Sequence, residues 1–396
     1  MQVLMTTDSI SAPLTGIGRY TWSLAQALSA LPDVCQLSYL SRVRVCHTLP
    51  QPSAHDSAPD ASVAASPRLS PFDLRRVLSR SLLAQTAYIR SLRVAQTFSL
   101  RGLRPDLVHG TNYWLPPCDG AGVLTVHDLS MVRYPACHKQ ESLAVVTRRL
   151  EAGVRRAAVL LTPSECIRRE VATHFAWPLS RVVAVAHGWS PSFRPQSAAA
   201  LAPMLTRRGL DYRGYSLFVG TIEPRKNLLC LLDAYLALPE SIRLRTPLVI
   251  AGDVGWNSDA IHERLQQATR QGWLHYLGYV SESDLPGLFA GAKVFTFPSL
   301  YEGFGLPVLE ALACATPVVC SDAAALTEIV GHAALVSPVG DVERLRDHLE
   351  QALTDDVWWL QAQQAGLERA AMFSWERAAR KTLAAYRLAM DTREAD

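Results

Sequence analysis

Residues Phe297-Pro-Ser-Leu-Tyr-Glu-Gly-Phe-Gly-Leu-Pro-Val-Leu-Glu-Ala-Leu312 decide how the chain reads. Val294 to Phe297 is a short apolar run of the kind that forms a buried strand. A loop with Glu302, Gly303, Phe304 and Gly305 follows. A helix then opens with Pro307 in its first turn, where a missing N–H costs nothing. Such a strand–glycine loop–helix joint points unpaired backbone N–H groups, and the positive end of the helix dipole, at one spot. That spot suits an anion. Glu302 before the glycines and Glu310 in the helix make no sense as anion ligands. They fit as acceptors for hydroxyls of a sugar attached to the anion. A lone glutamate in a first turn is often there only to offset the dipole, so the fixed pair carries the argument.

Working outward, the same architecture recurs. Gln2–Thr6 reads as a first strand, and Gly16-Ile-Gly-Arg-Tyr20 leads into a helix with apolar residues at helical spacing. Gly16 and Gly18 form a G-x-G, but Thr21 leaves the dinucleotide fingerprint G-x-G-x-x-G incomplete. Asp106–Gly110 and Val123–Asp128 read as buried parallel strands with polar residues at their carboxyl ends, where doubly wound sheets bind ligands. His127 is singled out there, with Asp128 after it. Arg19, His109, Asn112 and Tyr113 are candidates for the side that receives a second substrate. Strands near 158–162 and 182–186, with a helix between, complete a first domain. His187–Tyr212, rich in Pro, Ser and Ala, reads as a connector and hinge. The α/β rhythm restarts with strand 216–220. The loop Thr221-Ile-Glu-Pro-Arg-Lys-Asn227 places Arg225 and Lys226 at the mouth of the next helix, positioned to clamp phosphates. Further strands follow near 248–253, 273–280, 316–320 and 333–336, with helices near 281–289, 342–353, 355–371 and 374–390.

Bulk properties set the context. The 396 residues are 49% hydrophobic, enough for two domains with their own cores. Eight cysteines without C-x-x-C spacing point to free thiols in a reducing compartment. Met1–Thr7 lacks the charged and apolar regions of a signal peptide, and no run approaches a membrane span, so a cytoplasmic location is expected. Residues 1–200 hold 21 Lys and Arg against 12 Asp and Glu, whereas residues 201–396 hold 18 against 24. The basic first half suits an anionic membrane surface such as the inner membrane, and Phe72–Arg104, with seven arginines against one aspartate, is its densest part. No aromatic-interleaved basic module points to nucleic acid. Residues 41–71 read as a flexible surface loop.

Glu302 and Glu310 match the E-x7-E motif of the retaining glycosyltransferases of family 4. The chain resembles that family in order along nearly its whole length, through Gly16–Tyr20, Val126–Asp128, Glu223–Asn227, Leu277–Tyr279 and Glu302–Glu310. The resemblance implies a GT-B fold: two doubly wound Rossmann-like α/β domains, here 1–195 and 213–372, facing a cleft. A terminal segment, 373–396, would cross back to the first domain. It further implies that His127 reaches the donor sugar and that Arg225 and Lys226 bind its diphosphate. Glu302, Glu310, Gly16, Gly18 and the Phe304-Gly305-Leu306 segment would hold the donor, and Tyr279 and Val280 the base through backbone groups. The wording around Thr221–Asn227 looks most like bacterial mannosyl- and rhamnosyltransferases of surface polysaccharide synthesis, such as lipopolysaccharide O-antigen. That favours a GDP-linked donor and a saccharide or lipid-linked saccharide acceptor, a UDP-sugar being the alternative. No Asp-x-Asp pair occurs in the sequence, so no metal and no cofactor is expected. An NAD-dependent oxidoreductase would use Gly16 and Gly18 but leave both cations and both glutamates unexplained. A sugar-nucleotide epimerase would need no acceptor, and a scaffold would not need the paired charges.

Overall fold

The computed structural model describes residues 1–11, 14–51, 91–92 and 94–395. Of the basic stretch, Arg75, Arg76, Arg80, Arg90 and Arg93 lie outside the described residues, as does most of the expected surface loop. Among the described residues no helix is long and apolar enough to cross a membrane.

Two sheets form, mostly from short apolar strands buried on both faces. The first has seven strands in the order β3-β2-β1-β4-β5-β6-β7. They are β1 Gln2–Thr6, β2 Gln36–Ser41, β3 Arg44–Cys46, β4 Leu107–Gly110, β5 Ala121–Thr125, β6 Val159–Thr162 and β7 Val182–Ala184. All pair in parallel except β2 with β3. The second sheet is wholly parallel, ordered β10-β9-β8-β11-β12-β13. Its strands are β8 Ser216–Val219, β9 Leu248–Ala251, β10 Leu274–Gly278, β11 Val294–Phe297, β12 Val318–Ser321 and β13 Ala334–Ser337. Each sheet winds outward in both directions from a central pair, β1/β4 and β8/β11. That reversal opens a crevice at the strands' carboxyl ends, and the functional loops emerge there.

Two expectations need correction, and two helices had gone unread. The surface loop expected from residue 41 begins with a strand: Arg44–Cys46 runs antiparallel along β2, joined by a turn in which Arg42 takes a left-handed φ of 54°. The alternation Arg42-Val43-Arg44-Val45 was a strand signal, but a short one beside a Ser-, Pro- and Ala-rich stretch. The connector 187–212 is not open chain. Helix Ala198–Arg207 lies within it, and Leu201, Met204 and Leu205 pack into the second domain's core. That core therefore starts before residue 213. Helices Gln140–Val154 and Asp259–Arg270, charged on their outer faces, were not read from the sequence at all.

The last helix, Trp375–Ala395, returns to the first domain. Ala379, Leu383 and Tyr386 pack with Val3, Met5 and Leu24. The chain thus crosses twice between domains, and the crossings touch: a Cβ on Gly188 would lie 2.1 Å from the Trp375 backbone nitrogen. Only glycine allows that approach. Tyr386 also ends a buried chain of hydroxyls and imidazole, its Oη lying 2.7 Å from His109 Nδ1. His109 Nε2 lies 2.8 Å from Thr125 Oγ1, which in turn is 2.8 Å from Tyr20 Oη. Removing one hydroxyl from such a network leaves a buried ring nitrogen unmet. Tyr386→Phe should cost about 1 kcal/mol, read as a lower urea midpoint, and an unchanged midpoint would show the network to be idle.

Candidate active site

The loops after β8 and β11 flank the second sheet's central pair, so they meet. The loop after β8 tightens into a single turn, Pro224–Lys226, ended by Asn227 with a left-handed φ of 56°. The turn fixes Arg225 and Lys226 side by side. From the other loop Glu302 accepts from both, at 3.0 Å from Arg225 Nη1 and 2.6 Å from Lys226 Nζ. Arg225 is held further by Glu223 at 2.6 Å and by the Tyr301 carbonyl at 2.8 Å. Burial alone would raise the Glu302 carboxyl, but the two cations overcome it and hold it at about 2. Burial also disfavours charge on Arg225, yet Glu302 and Glu223 outweigh it and keep the guanidinium charged. Glu302 here orients the cations; it is not a free carboxylate awaiting a sugar.

Helix Leu306–Ala313 begins immediately beyond, capped by Gly305 at φ 114°. A Cβ there would meet Leu326 at 2.6 Å, so the residue must be glycine on two counts. Gly303 is more tightly constrained: a Cβ would lie 2.0 Å from the His127 carbonyl oxygen of the opposite domain. The glycine loop therefore presses directly on the first domain.

Between the domains lies a cleft of about 500 Å³. Gly16, Arg19 and His127 line it from the first domain. Arg225, Lys226, Tyr279, Val280, Glu302, Phe304, Gly305 and Leu306 line it from the second. Most of the expected site residues are thus brought together. His127 is buried, and Nε2 lies 2.8 Å from the Thr111 carbonyl. A carbonyl only accepts, so Nε2 carries the proton. Burial lowers the ring's pKa, the imidazole is neutral, and Nδ1 is left with a lone pair.

Other residues fall elsewhere. Gly18 does not line the cleft; it sits against the Ser9 carbonyl, where a Cβ would be 2.6 Å away. His109, expected on the acceptor side, is fully buried in the hydroxyl network described above, and burial lowers its pKa to about 3. Asn112 and Tyr113 line a separate cavity. Arg19 lines the cleft. It reaches across the cleft to Glu310 at 3.0 Å and Glu282 at 2.7 Å. Burial pushes Glu310 up to about 7 against the pull of Arg19, and its second oxygen, Oε2, has no hydrogen-bond partner.

Sequence reasoning missed several cleft residues. Glu223 stands two positions before Arg225, and that spacing could have marked it as an ion-pair partner. Asp253, Trp256 and Glu282 also line the cleft. His187, at the hinge, stands 4.7 Å from the Tyr20 ring, 4.6 Å from Phe304 and 5.6 Å from Trp375, and its buried Nδ1 has no partner. Nothing in the connector sequence marked it.

Two doubly wound domains closing on a cation cluster and a glycine-loop helix define the GT-B glycosyltransferase class. Residues 211–371 match the family model described as glycosyl transferases group 1. Over 98% of its length the chain is 37% identical to the O-antigen chain mannosyltransferase B of Escherichia coli, all of which is covered. The chain belongs to the group 1 glycosyltransferases. It is also 28% identical, over 80% of its length, to the serotype-specific mannosyltransferase WbdA of Escherichia coli, of which 42% is covered. The sucrose-phosphate synthase of Thermosynechococcus elongatus superposes over all of both chains with a TM-score of 0.73 at 20% identity, a likeness of fold.

The two glutamates titrate with opposite signs. Glu302, at about 2 against an ordinary 4.5, adds stability above 4.5 that is lost as pH falls through 2. Glu310, at about 7 against 4.5, favours the fold most below 4.5 and loses that contribution as pH rises through 7. In urea melts at stepped pH, Glu302→Gln should flatten the acid loss and Glu310→Gln the loss between 4.5 and 7. A reversed pattern would mean the ion pairs do not form as described. Separately, Gly303→Ala should force the loop off the His127 carbonyl and lower kcat by at least tenfold, with melting of each domain little changed. Wild-type turnover in that variant would show the contact to be dispensable.

Proposed function

We propose that this glycosyltransferase moves a mannose-type hexose from a GDP-linked donor to a saccharide or lipid-linked saccharide acceptor in surface polysaccharide synthesis. It does so with retention of configuration and without a metal ion. The observation that carries the reading is the meeting of Arg225, Lys226 and the Gly305-capped helix N-terminus in one interdomain cleft. The names of the two mannosyltransferase relatives support the sugar and, through O-antigen, the pathway class. Peripheral contact with an anionic membrane is part of the proposal, on the positive excess of residues 1–200.

The chemistry follows from where charge develops. As the C1–oxygen bond to the diphosphate breaks, negative charge grows on the leaving phosphate. Arg225, Lys226 and the N–H groups near Leu306 are already oriented toward that position. Preorganised donors of this kind do the work an ion would otherwise do, and losing one costs about 3 kcal/mol. The acceptor hydroxyl attacks C1 on the face the diphosphate leaves, and its proton passes to the departing phosphate oxygen. No glutamate is cast as a covalent nucleophile: Glu302 is tied to two cations and Glu310 to Arg19. Glu310 Oε2, buried and without a partner, is the acceptor a donor hydroxyl would meet once it becomes accessible from the cleft. Neutral His127 offers Nδ1 on the sugar side.

A thermal-shift panel of GDP-, UDP-, ADP- and dTDP-sugars tests the donor, since stabilisation grows with ligand over its dissociation constant. GDP-mannose should give the largest shift, and a larger shift with a UDP-sugar would replace the proposed base. Arg225→Ala and Lys226→Ala should each lower kcat about 100-fold, while Glu310→Ala mainly raises the donor Kd. Activity should persist in EDTA, and the product's anomeric signals should match the donor's. Loss in EDTA with recovery in Mg2+ would refute the metal-free mechanism.

A further inference from the structure

Arg19 stands where local physics disfavours it. It lies in the first turn of helix Gly16–Ser29, a turn that holds no acidic residue. The positive end of the helix dipole costs a cation there about 0.3–1 kcal/mol. A residue that breaks a local rule of this kind is commonly compensated elsewhere, at functional sites above all. Its compensation comes from the other domain. The guanidinium donates to Glu310, 291 positions later, and to Glu282 in the loop after β10.

Arg19 is also braced. Thr15 caps the helix by accepting from the Gly18 N–H at 3.3 Å. Tyr20, next in the chain, is buried, with its ring 4.8 Å from that of His127. Packed neighbours on either side fix the backbone from which the guanidinium reaches, the support a positioning group needs.

Glu310 is the group that needs positioning. Its side chain is nearly enclosed, at 4% exposure, and Oε2 has no partner. Burial favours the protonated carboxyl, which gives up part of its capacity to accept. It pushes Glu310 up to about 7; Arg19 pulls the other way, and Glu282 adds to the rise. Cys314, one turn along the same helix, is a neutral neighbour, because burial pushes its thiol up. Arg19 thus supplies the cation that opposes burial. Arg225, Lys226 and Glu310 all belong to the second domain, so recognition through them alone would be indifferent to where the first domain lies. Arg19 removes that indifference.

We propose that Arg19 is a positioning residue for donor recognition: reaching across the cleft, it fixes Glu310 and keeps it an acceptor, so that reading a donor hydroxyl in the second domain depends on a group of the first. The choice of ligand rests on the glycosyl-transfer reading, and the test separates the two. GDP-mannose is titrated calorimetrically into the full chain over a pH series centred on 7. A neutral Glu310 accepts poorly, so wild-type affinity should fall as pH drops through 7. Arg19→Gln should weaken binding about tenfold at neutral pH and move that fall-off up by about one pH unit. Arg19→Lys should restore most of both, and Glu282→Gln should move the fall-off down. Adding Arg19→Gln to Glu310→Ala should weaken binding no further, because one acts through the other. A fall-off that stays in place in Arg19→Gln, or a full further loss on the Glu310→Ala background, would overturn the role of Arg19 and leave the donor reading intact. Failure of GDP-mannose to bind the wild type would overturn both together. Should Arg19→Gln not fold, Glu282→Gln, changed at a part-exposed side chain, carries the same test with the opposite sign; an unmoved fall-off there also overturns the role.

Discussion

A backbone contact sets the geometry of this enzyme. Gly303, on the loop after β11, lies so close to the His127 carbonyl that no other residue fits. Ser164 reinforces it from the first domain by donating its hydroxyl to the Gly303 carbonyl at 2.8 Å. Glu302 immediately precedes this glycine and Gly305 follows it by two. The contact therefore fixes both the carboxylate that orients the cations and the helix N-terminus beyond. It also fixes His127 relative to them, because the carbonyl it presses on belongs to that residue. Donor chemistry and the opposing imidazole are aligned by one van der Waals limit.

Burying Arg225, Lys226, Glu223 and Glu302 together would be costly if any were alone. Desolvation of a charge is repaid only when geometry and hydrogen bonding are good. The doubly wound topology makes that affordable, because β8 and β11 are neighbours and their loops need no long reach. Two cations and two carboxylates balance, and Lys226 has three N–H donors of which one serves Glu302. Its ammonium also stands 4.9 Å from the Phe297 ring at the end of β11, so strand and loop position it jointly. The cluster holds its two cations and two carboxylates in fixed positions at the cleft.

The sequence showed most of the frame and some of the site. Strand–loop–helix units with glycine, proline or paired charges in the loop were legible, because backbone requirements select those residue types. Arg225, Lys226, Glu302 and Gly305 were found that way. What stayed hidden depends on side-chain direction. His109 ends a strand exactly as far along as a cleft residue should, yet pleating turns its ring inward to Tyr386, 277 positions later. Nor could the sequence show that Arg19, an acceptor-side candidate, pairs with Glu282 and Glu310 in the other domain. Helix Ala198–Arg207 contains Pro203 and sits in a Ser- and Ala-rich stretch, so its local signal was that of a linker. Tertiary packing of Leu201 and Leu205 overrode it.

The way the domains meet bears on turnover. Besides the glycine contact, polar links cross the interface together with aromatic ones, Tyr301 beside Tyr134 at 5.5 Å and Trp256 stacked on His138 at 6.3 Å. Glu328 accepts from the Glu165 and Cys166 N–H groups at the start of a first-domain helix, at 2.7 and 3.0 Å. Leu129 N–H donates to the Tyr301 hydroxyl at 3.1 Å, and Arg19 bridges to two glutamates. Bonds of this type exchange readily for water, and part-exposed ion pairs contribute about 0–1 kcal/mol each. Polar links of this kind favour relative domain motion, while the aromatic contacts at Tyr301 and Trp256 oppose it. A glycosyltransferase with a cleft between its domains needs such motion to admit substrate and release product. The Arg19 bridge has a particular place in this. It occupies one oxygen of Glu310, while the other is buried and unpaired.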